Sequence, residues 1–182
     1  MKKLTTLVLA LVMVFSLAAC GNKNSGTTSK EDTNKTEKPK TVTIKSFNAN
    51  NEETDLEVPY DAQRIAVMDM AALDILDSLG LGDRVVGSSS TSLDYLQEYV
   101  TNDEIVDLGT IKEADMEAVM SCEPDVIFIG GRLAQSYDAL SEIAPVVYLS
   151  TDTEIGLVKS VEKNAKTIAS MFGVEDDVKD LM

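Results

Sequence analysis

Few side chains in this sequence are equipped for chemistry, and its three arginines are the first of them. A guanidinium is planar, permanently charged and matched in shape to anionic oxygens. Where it can act depends on its place relative to a strand. Arg64 precedes the apolar run Ile65 to Met68, and Arg84 opens the next short strand, through Gly87, so both belong to the amino edge of a sheet. Arg132 instead follows Glu123-Pro-Asp-Val-Ile-Phe-Ile-Gly-Gly-Arg132, a strand and a glycine turn. That places it at the carboxyl edge, where open α/β sheets hold their ligands. One hydrogen bond from Arg132 to a charged group would contribute about 1.5 to 3 kcal/mol. Spacing alone leaves a second reading open, in which Arg132 is a solvated charge or a partner for Asp138.

Gly131 lies beside Arg132, and other carboxyl-edge positions are Asp69 and Met70, Ser88 to Thr91 (with Ser89 and Ser90), Gly109 and Thr110, and Ser150 to Asp152. Their hydroxyls, and the helix amino termini that follow, suit a polar ligand, and they equally suit ordinary turns and caps. The chain has no histidine, which removes Ser-His-Asp and Cys-His catalysis and histidine-based metal ligation from these 182 residues. No catalytic or metal-ligating residue is assigned. A formal net charge of -15 speaks against nucleic acid as a partner. Gly80-Leu-Gly82 follows a helix rather than a strand, so it is not a dinucleotide-binding turn. Cys122 reads as a small buried residue, and Glu175-Asp-Asp177 as an exposed helix start.

Two kinds of element must position these groups. Val126 to Ile129 is apolar without alternation, the mark of a strand covered on both faces. Similar strands are expected at Ile65 to Met68, Arg84 to Gly87, Ile105 to Leu108 and Val146 to Leu149. Between them, helices are expected over Met70 to Leu79, Leu93 to Val100, Asp115 to Cys122 with Asp115 as cap, and Leu133 to Ala144. A long helix closes the series, with Ile155, Val158, Val161, Ala165, Ile168 and Phe172 on one face and Gly173 as its stop. This alternation predicts a doubly wound, mainly parallel sheet. Before it, Thr41 to Phe47 and Thr54 to Val58 flank Asn48-Ala-Asn-Asn51 and predict a half-exposed β-hairpin.

Residues 1 to 19 carry two early lysines, an apolar run and small residues before Cys20, the pattern of a secretory signal. Leu17-Ala-Ala-Cys-Gly21 resembles a bacterial lipobox, which implies a lipidated Cys20 and a membrane anchor. Residues 20 to 40 lack any aliphatic or aromatic side chain after the cysteine and are expected to form a flexible tether. The span 41 to 173 is the expected lobe. Residues 174 to 182 begin what reads as another helix, so the sequence is expected to be a fragment of a longer chain.

The motifs together resemble one family, the substrate-binding lipoproteins of iron-siderophore and cobalamin ABC importers. Arg64 to Gly80 is similar to the family's first strand and helix. Asp107-Leu-Gly109, Ala114-Asp-Met-Glu-Ala-Val119 and Glu123-Pro-Asp-Val-Ile-Phe128 are similar to its central signature, with Met116 where leucine is usual. Gly130 to Asp138 resembles the subgroup that takes up catecholate siderophores of the petrobactin type. The resemblance implies that this chain is the amino-terminal lobe of a two-lobed monomer, with residues 174 to 182 beginning the interlobe helix. It implies a ligand-contacting Arg132, docking of Glu117, or the neighbouring Glu113, onto an ABC permease with its ATPase, and no intrinsic cofactor. The iron would arrive inside a ferric siderophore that supplies its own ligands. Cobalamin or haem remain as other cargoes of the fold, and a non-transport surface lipoprotein as another role; an enzyme would need a nucleophile, base or cofactor loop that the sequence does not display. Glu117 also reads simply as a first-turn acid favoured by its helix dipole.

Overall fold

The structure is a computed structural model that describes residues 39–152 and 154–180. The leader, Cys20 and the tether as far as residue 38 lie outside the described residues. The chain enters as an antiparallel hairpin, β1 (Thr41–Phe47) and β2 (Glu53–Pro59), in register from Thr41 opposite Pro59 to Phe47 opposite Glu53. Its tip is tied by the Asn48 side chain, whose Oδ1 accepts from the backbone N–H of Asn50 and Glu52.

The alternating part then unfolds as expected. β3 (Ile65–Met68) leads into α1 (Met70–Ser78), which Asp69 caps by accepting from the Ala72 N–H at 2.9 Å. β4 (Val85–Ser88) follows, then α2 (Glu98–Thr101) and β5 (Val106–Asp107). A small hairpin of β6 (Gly109–Thr110) and β7 (Glu113–Ala114) comes next, and then α3 (Met116–Ser121). Asp115 caps α3 by accepting from Glu117 and Ala118 N–H. β8 (Val126–Ile129), α4 (Tyr137–Ser141), β9 (Val146–Tyr148) and α5 (Leu157–Phe172) complete the order.

Five strands form one sheet in the order β5-β4-β3-β8-β9, and every adjacent pair is parallel. Alternate residues serve its two sides. Ile65, Val67, Val126, Phe128 and Val147 pack toward α1 and α5, with Leu73, Leu76, Ile168 and Phe172. Ala66, Met68, Ile127, Ile129 and Val146 pack on the other side with Val119, Leu133 and Leu140. The unbroken apolar runs are thus explained by two covered faces.

Four expectations change. The helix expected over Leu133 to Ala144 is a 3-10 turn, Gly131–Ser136, running into the five residues of α4. The segment Leu93 to Val100 is likewise split between a 3-10 turn, Asp94–Leu96, and α2. Both are too short to gain much from cooperative helix growth, so tertiary contacts fix them instead. Ile155 and Val158, expected on the buried face of the last helix, are exposed; α5 starts only at Leu157, which leaves Ile155 outside it, and the buried residues of the helix begin at Ser160. In place of the helix expected to begin at residue 174, the described residues form a 3-10 turn, Asp177–Asp180, with Glu175 to Asp177 exposed as expected.

The first hairpin lies against the edge strand β9. The buried Ser46 Oγ accepts from Tyr148 N–H at 2.9 Å, and the Phe47 and Tyr148 rings sit 5.4 Å apart. Ser46→Ala leaves that amide buried without a partner and should destabilise the fold by about 1 to 3 kcal/mol, read by chemical denaturation. A cost below the error of the fit would mean that water replaces the hydroxyl.

Candidate functional site

The order β5-β4-β3-β8-β9 contains one reversal. From β3 the chain builds outward through β4 and β5, then returns to place β8 and β9 on the other side of β3. The crevice above the carboxyl ends of β3 and β8 is therefore the topological switch point, where this class of sheet binds ligands. Met68, Asp69, Met70 and Ala71 come to it from the end of β3, and Gly130, Gly131 and Arg132 from the end of β8. Together with Ile111 they line an open depression of about 320 Å³.

Arg132, Gly131 and Met70, all expected from sequence, are brought together here. Arg132 is exposed, and among the described residues it makes no hydrogen bond or ion pair, with Asp138 or any other group. The other two arginines are occupied at the amino edge. Arg64 donates from Nε to the Glu123 carbonyl at 2.9 Å, and its guanidinium also reaches the Cys122 carbonyl. Arg84 pairs with Asp61 at 2.7 Å and lies over the Phe172 ring. The sheet end thus separates two structural arginines from one that is available.

Ser89 and Ser90 are placed elsewhere. Ser89 is fully buried because its N–H donates to the Val67 carbonyl, which extends the β3–β4 contact by a residue and draws the side chain into the interior. Its hydroxyl has no partner there. Ser90 is exposed, with its N–H on the Gly109 carbonyl, and neither serine lines the depression around Arg132. Glu113, in β7, and Glu117, in the first turn of α3, are both exposed. Cys122 is buried, and burial pushes its thiol up from the ordinary range.

Sequence reasoning did not find Ile111, which the β6–β7 hairpin carries to the depression. An apolar residue inside the polar turn Thr110-Ile-Lys-Glu113 was the available signal. Nor did it find the glycine geometry. A Cβ at Gly130 would stand 2.3 Å from Asp69 Oδ2, and one at Gly131 would stand 2.9 Å from the Tyr148 hydroxyl. The two glycines let the β8 turn close over the Asp69 carboxylate and the Tyr148 phenol, which donates to Asn51 Oδ1 at 2.8 Å.

Asp69 is the second charged group of the depression. Burial raises its carboxyl above the ordinary range, and the N–H groups of Ala72 and Ala71 and the field of Arg132 partly oppose that shift. A second hollow of about 190 Å³, between α1, α5 and the end of β9, shares Asp69 and Gly131 with the first. The arrangement offers a cation, a half-buried carboxylate, thioether and aliphatic surface, and bare backbone at two glycines. It can hold an anionic ligand with an apolar periphery.

An all-parallel, doubly wound sheet with such a depression at its switch point is the form of a ligand-binding lobe. The sequence model of the periplasmic binding protein family matches residues 65–182, and the chain belongs to that family. It is 37% identical over 180 residues to the petrobactin-binding protein YclQ of Bacillus subtilis, covering 99% of this chain and 54% of that one. The crystal structure of YclQ superposes with a TM-score of 0.70 at 34% identity, over 78% of this chain and 48% of that one. The catecholate-siderophore binding protein VctP of Vibrio cholerae gives a TM-score of 0.68 at 30% identity, over 77% and 48%. A probable siderophore-binding lipoprotein of Bacillus subtilis, YfiY, is 30% identical over 152 residues, or 81% of this chain and 43% of that one. The chain spans about half the length of the curated relatives it matches.

Proposed function

We propose that this lobe forms one wall of the ligand cleft of an ABC-importer substrate-binding lipoprotein, which captures a ferric siderophore of catecholate type outside the membrane for iron uptake. The observation that carries the reading is the position of an unpaired Arg132 at the switch point of the sheet, in a depression of about 320 Å³. An iron-catecholate centre is anionic and flat-faced, and a guanidinium beside thioether and aliphatic surface suits both properties. Likeness to a petrobactin-binding and a catecholate-binding protein supports the same ligand class. The cargo brings its own iron ligands, so a lobe without histidine remains competent.

The long-range field works against capture, since the whole chain carries 31 acidic against 16 basic residues. Attraction must therefore be local, and most of it should pass through Arg132. In the protein expressed from its full native reading frame, Arg132→Ala should weaken ferric petrobactin at least about tenfold, roughly the loss of one charged hydrogen bond. Calorimetric titration measures it, and an unchanged affinity removes Arg132 from the site. Titrating cobalamin and haem in parallel assigns the cargo. The wider reading places a lipid anchor at Cys20, a tether over 20–40, and permease docking at Glu117 with Glu113 as second choice. Both glutamates being exposed is consistent with docking, and charge reversal of each should lower uptake in cells while leaving ligand affinity intact.

A further inference from the structure

We propose that Asp69 is the internal counter-charge of Arg132, acting through its field without contact, and that an anionic ligand entering the depression takes over the guanidinium, so that Asp69 sets how much negative charge the cleft accepts. The inference rests on the reading of this edge as the ferric-siderophore site. Asp69 and Arg132 line the same depression from the ends of β3 and β8, the two strands that flank the switch point. They feel each other's field without closing into an ion pair. The guanidinium therefore keeps its donors for a ligand, while part of its charge is already cancelled by the carboxylate behind it.

The carboxylate is oriented by the start of α1. Asp69 Oδ1 is held by the Ala72 N–H as the cap of α1, and Oδ2 sits where only a glycine at 130 leaves room. A ligand with anionic oxygens on Arg132 then meets a fixed negative charge in a space that its own arrival closes to water. Both effects favour the protonated acid. Ligand capture is thereby coupled to uptake of one proton from solvent onto the Asp69 carboxylate. Lys112 and Glu113 follow Ile111 in the hairpin that reaches the depression, and neither lines it. Tyr148 reaches the same turn from β9, but its hydroxyl is hydrogen-bonded to Asn51 and burial raises its proton affinity further, so it stays neutral. The remaining lining of the two hollows that Asp69 shares carries no titratable side chain.

The fold already contains the same preference. Because the folded-state carboxyl titrates above its unfolded value of 3.8, the native state holds the proton more tightly than the unfolded chain does. Asp69 therefore costs stability above its raised value, and the cost fades as pH falls back toward the unfolded one.

Asp69→Asn tests the proposal, because asparagine keeps the helix cap and imitates the protonated acid. The protein from its full reading frame would be titrated calorimetrically with ferric petrobactin at neutral and mildly acidic pH, in two buffers of different ionisation enthalpy. The expected result is that wild type binds more tightly in acid and takes up a proton on binding. Asp69→Asn should bind about tenfold more tightly than wild type at neutral pH, with no proton uptake and little pH dependence. Thermal denaturation should show Asp69→Asn as the more stable protein at neutral pH, with the difference vanishing in acid. Unchanged or weaker binding by Asp69→Asn, or equal proton uptake in both proteins, overturns the counter-ion role while leaving the siderophore reading intact. Absence of ferric petrobactin binding by wild type overturns the reading itself, and the inference with it.

Discussion

Phe128→Ala is expected to lower the stability of the described lobe by about 3 to 5 kcal/mol, the cost of emptying a large aromatic site in a core that cannot fully collapse. Phe128 is completely buried, at the middle of β8, with β3 and β9 hydrogen-bonded on either side. Its register partners are Val67 and Val147, and all three face the layer made by α1 and α5. A central strand cannot move toward the vacancy without breaking two parallel ladders, so relaxation is limited. Urea denaturation should show the midpoint falling with little change in slope, since the surface exposed on unfolding stays nearly the same. A loss below about 1.5 kcal/mol would mean that the helices of that layer close the gap, and that the sheet is less rigid than its all-parallel pairing indicates.

The second large effect is expected at Gly109. Its φ of +90° lies in the region that side chains avoid, and a Cβ there would stand 2.7 Å from the Glu113 carbonyl oxygen and 3.2 Å from the Asp115 nitrogen. Both are backbone atoms, so neither can swing aside as a flexible side chain could. Gly109→Val should therefore cost roughly 3 kcal/mol or more, from positive φ and overlap together. The damage would also reach the site. Gly109 pairs with Ala114 across the hairpin that presents Ile111 to Arg132, and the Asp115 N–H that caps the turn donates to the Leu108 carbonyl. Denaturation would report the stability, and hydrogen exchange would localise it. Faster exchange confined to residues 107 to 119 is expected, whereas native-like protection there would show that the hairpin tolerates a side chain.

What the sequence displayed well was everything set by local pattern. Unalternating apolar runs at 65–68 and 126–129 marked strands with two covered faces. Asp115 announced the start of α3, and Gly173 the end of α5, where it takes a left-handed φ of +68°. The placement of one arginine after a strand and two before strands followed from the same pattern, and Arg64 and Arg84 are indeed engaged in structural contacts at the opposite edge. Global arrangement was hidden. Nothing local states that β8 returns beside β3, and that return is what turns Arg132 and Asp69 into neighbours. Ser89 looked like an edge hydroxyl, because the sequence does not show that its amide continues the sheet contact into the interior. Asp69 stood among the carboxyl-edge positions suited to a ligand or to a cap; it is a cap, and the room beside its other oxygen depends on a glycine 61 positions later having no side chain. The apolar period of α5 included Val158 because helical spacing alone does not say which turns of a helix are covered, and burial begins only at Ser160.

The Ser46–Tyr148 contact has a consequence for the order in which the chain can be assembled. The two residues are 102 positions apart, yet the hairpin that carries Ser46 is made wholly of local pairings. On a chain synthesised from its amino terminus, that hairpin can form within microseconds and must then wait for nearly the whole lobe to appear before its docking strand exists. Closing so long a loop is slow in entropy terms and is rewarded only at the end. Until then β9, once made, exposes an unpaired edge of the kind that recruits other chains. The hairpin can therefore form early but seat only late, once β9 and α5 exist, and its seating covers the β9 edge against intermolecular pairing.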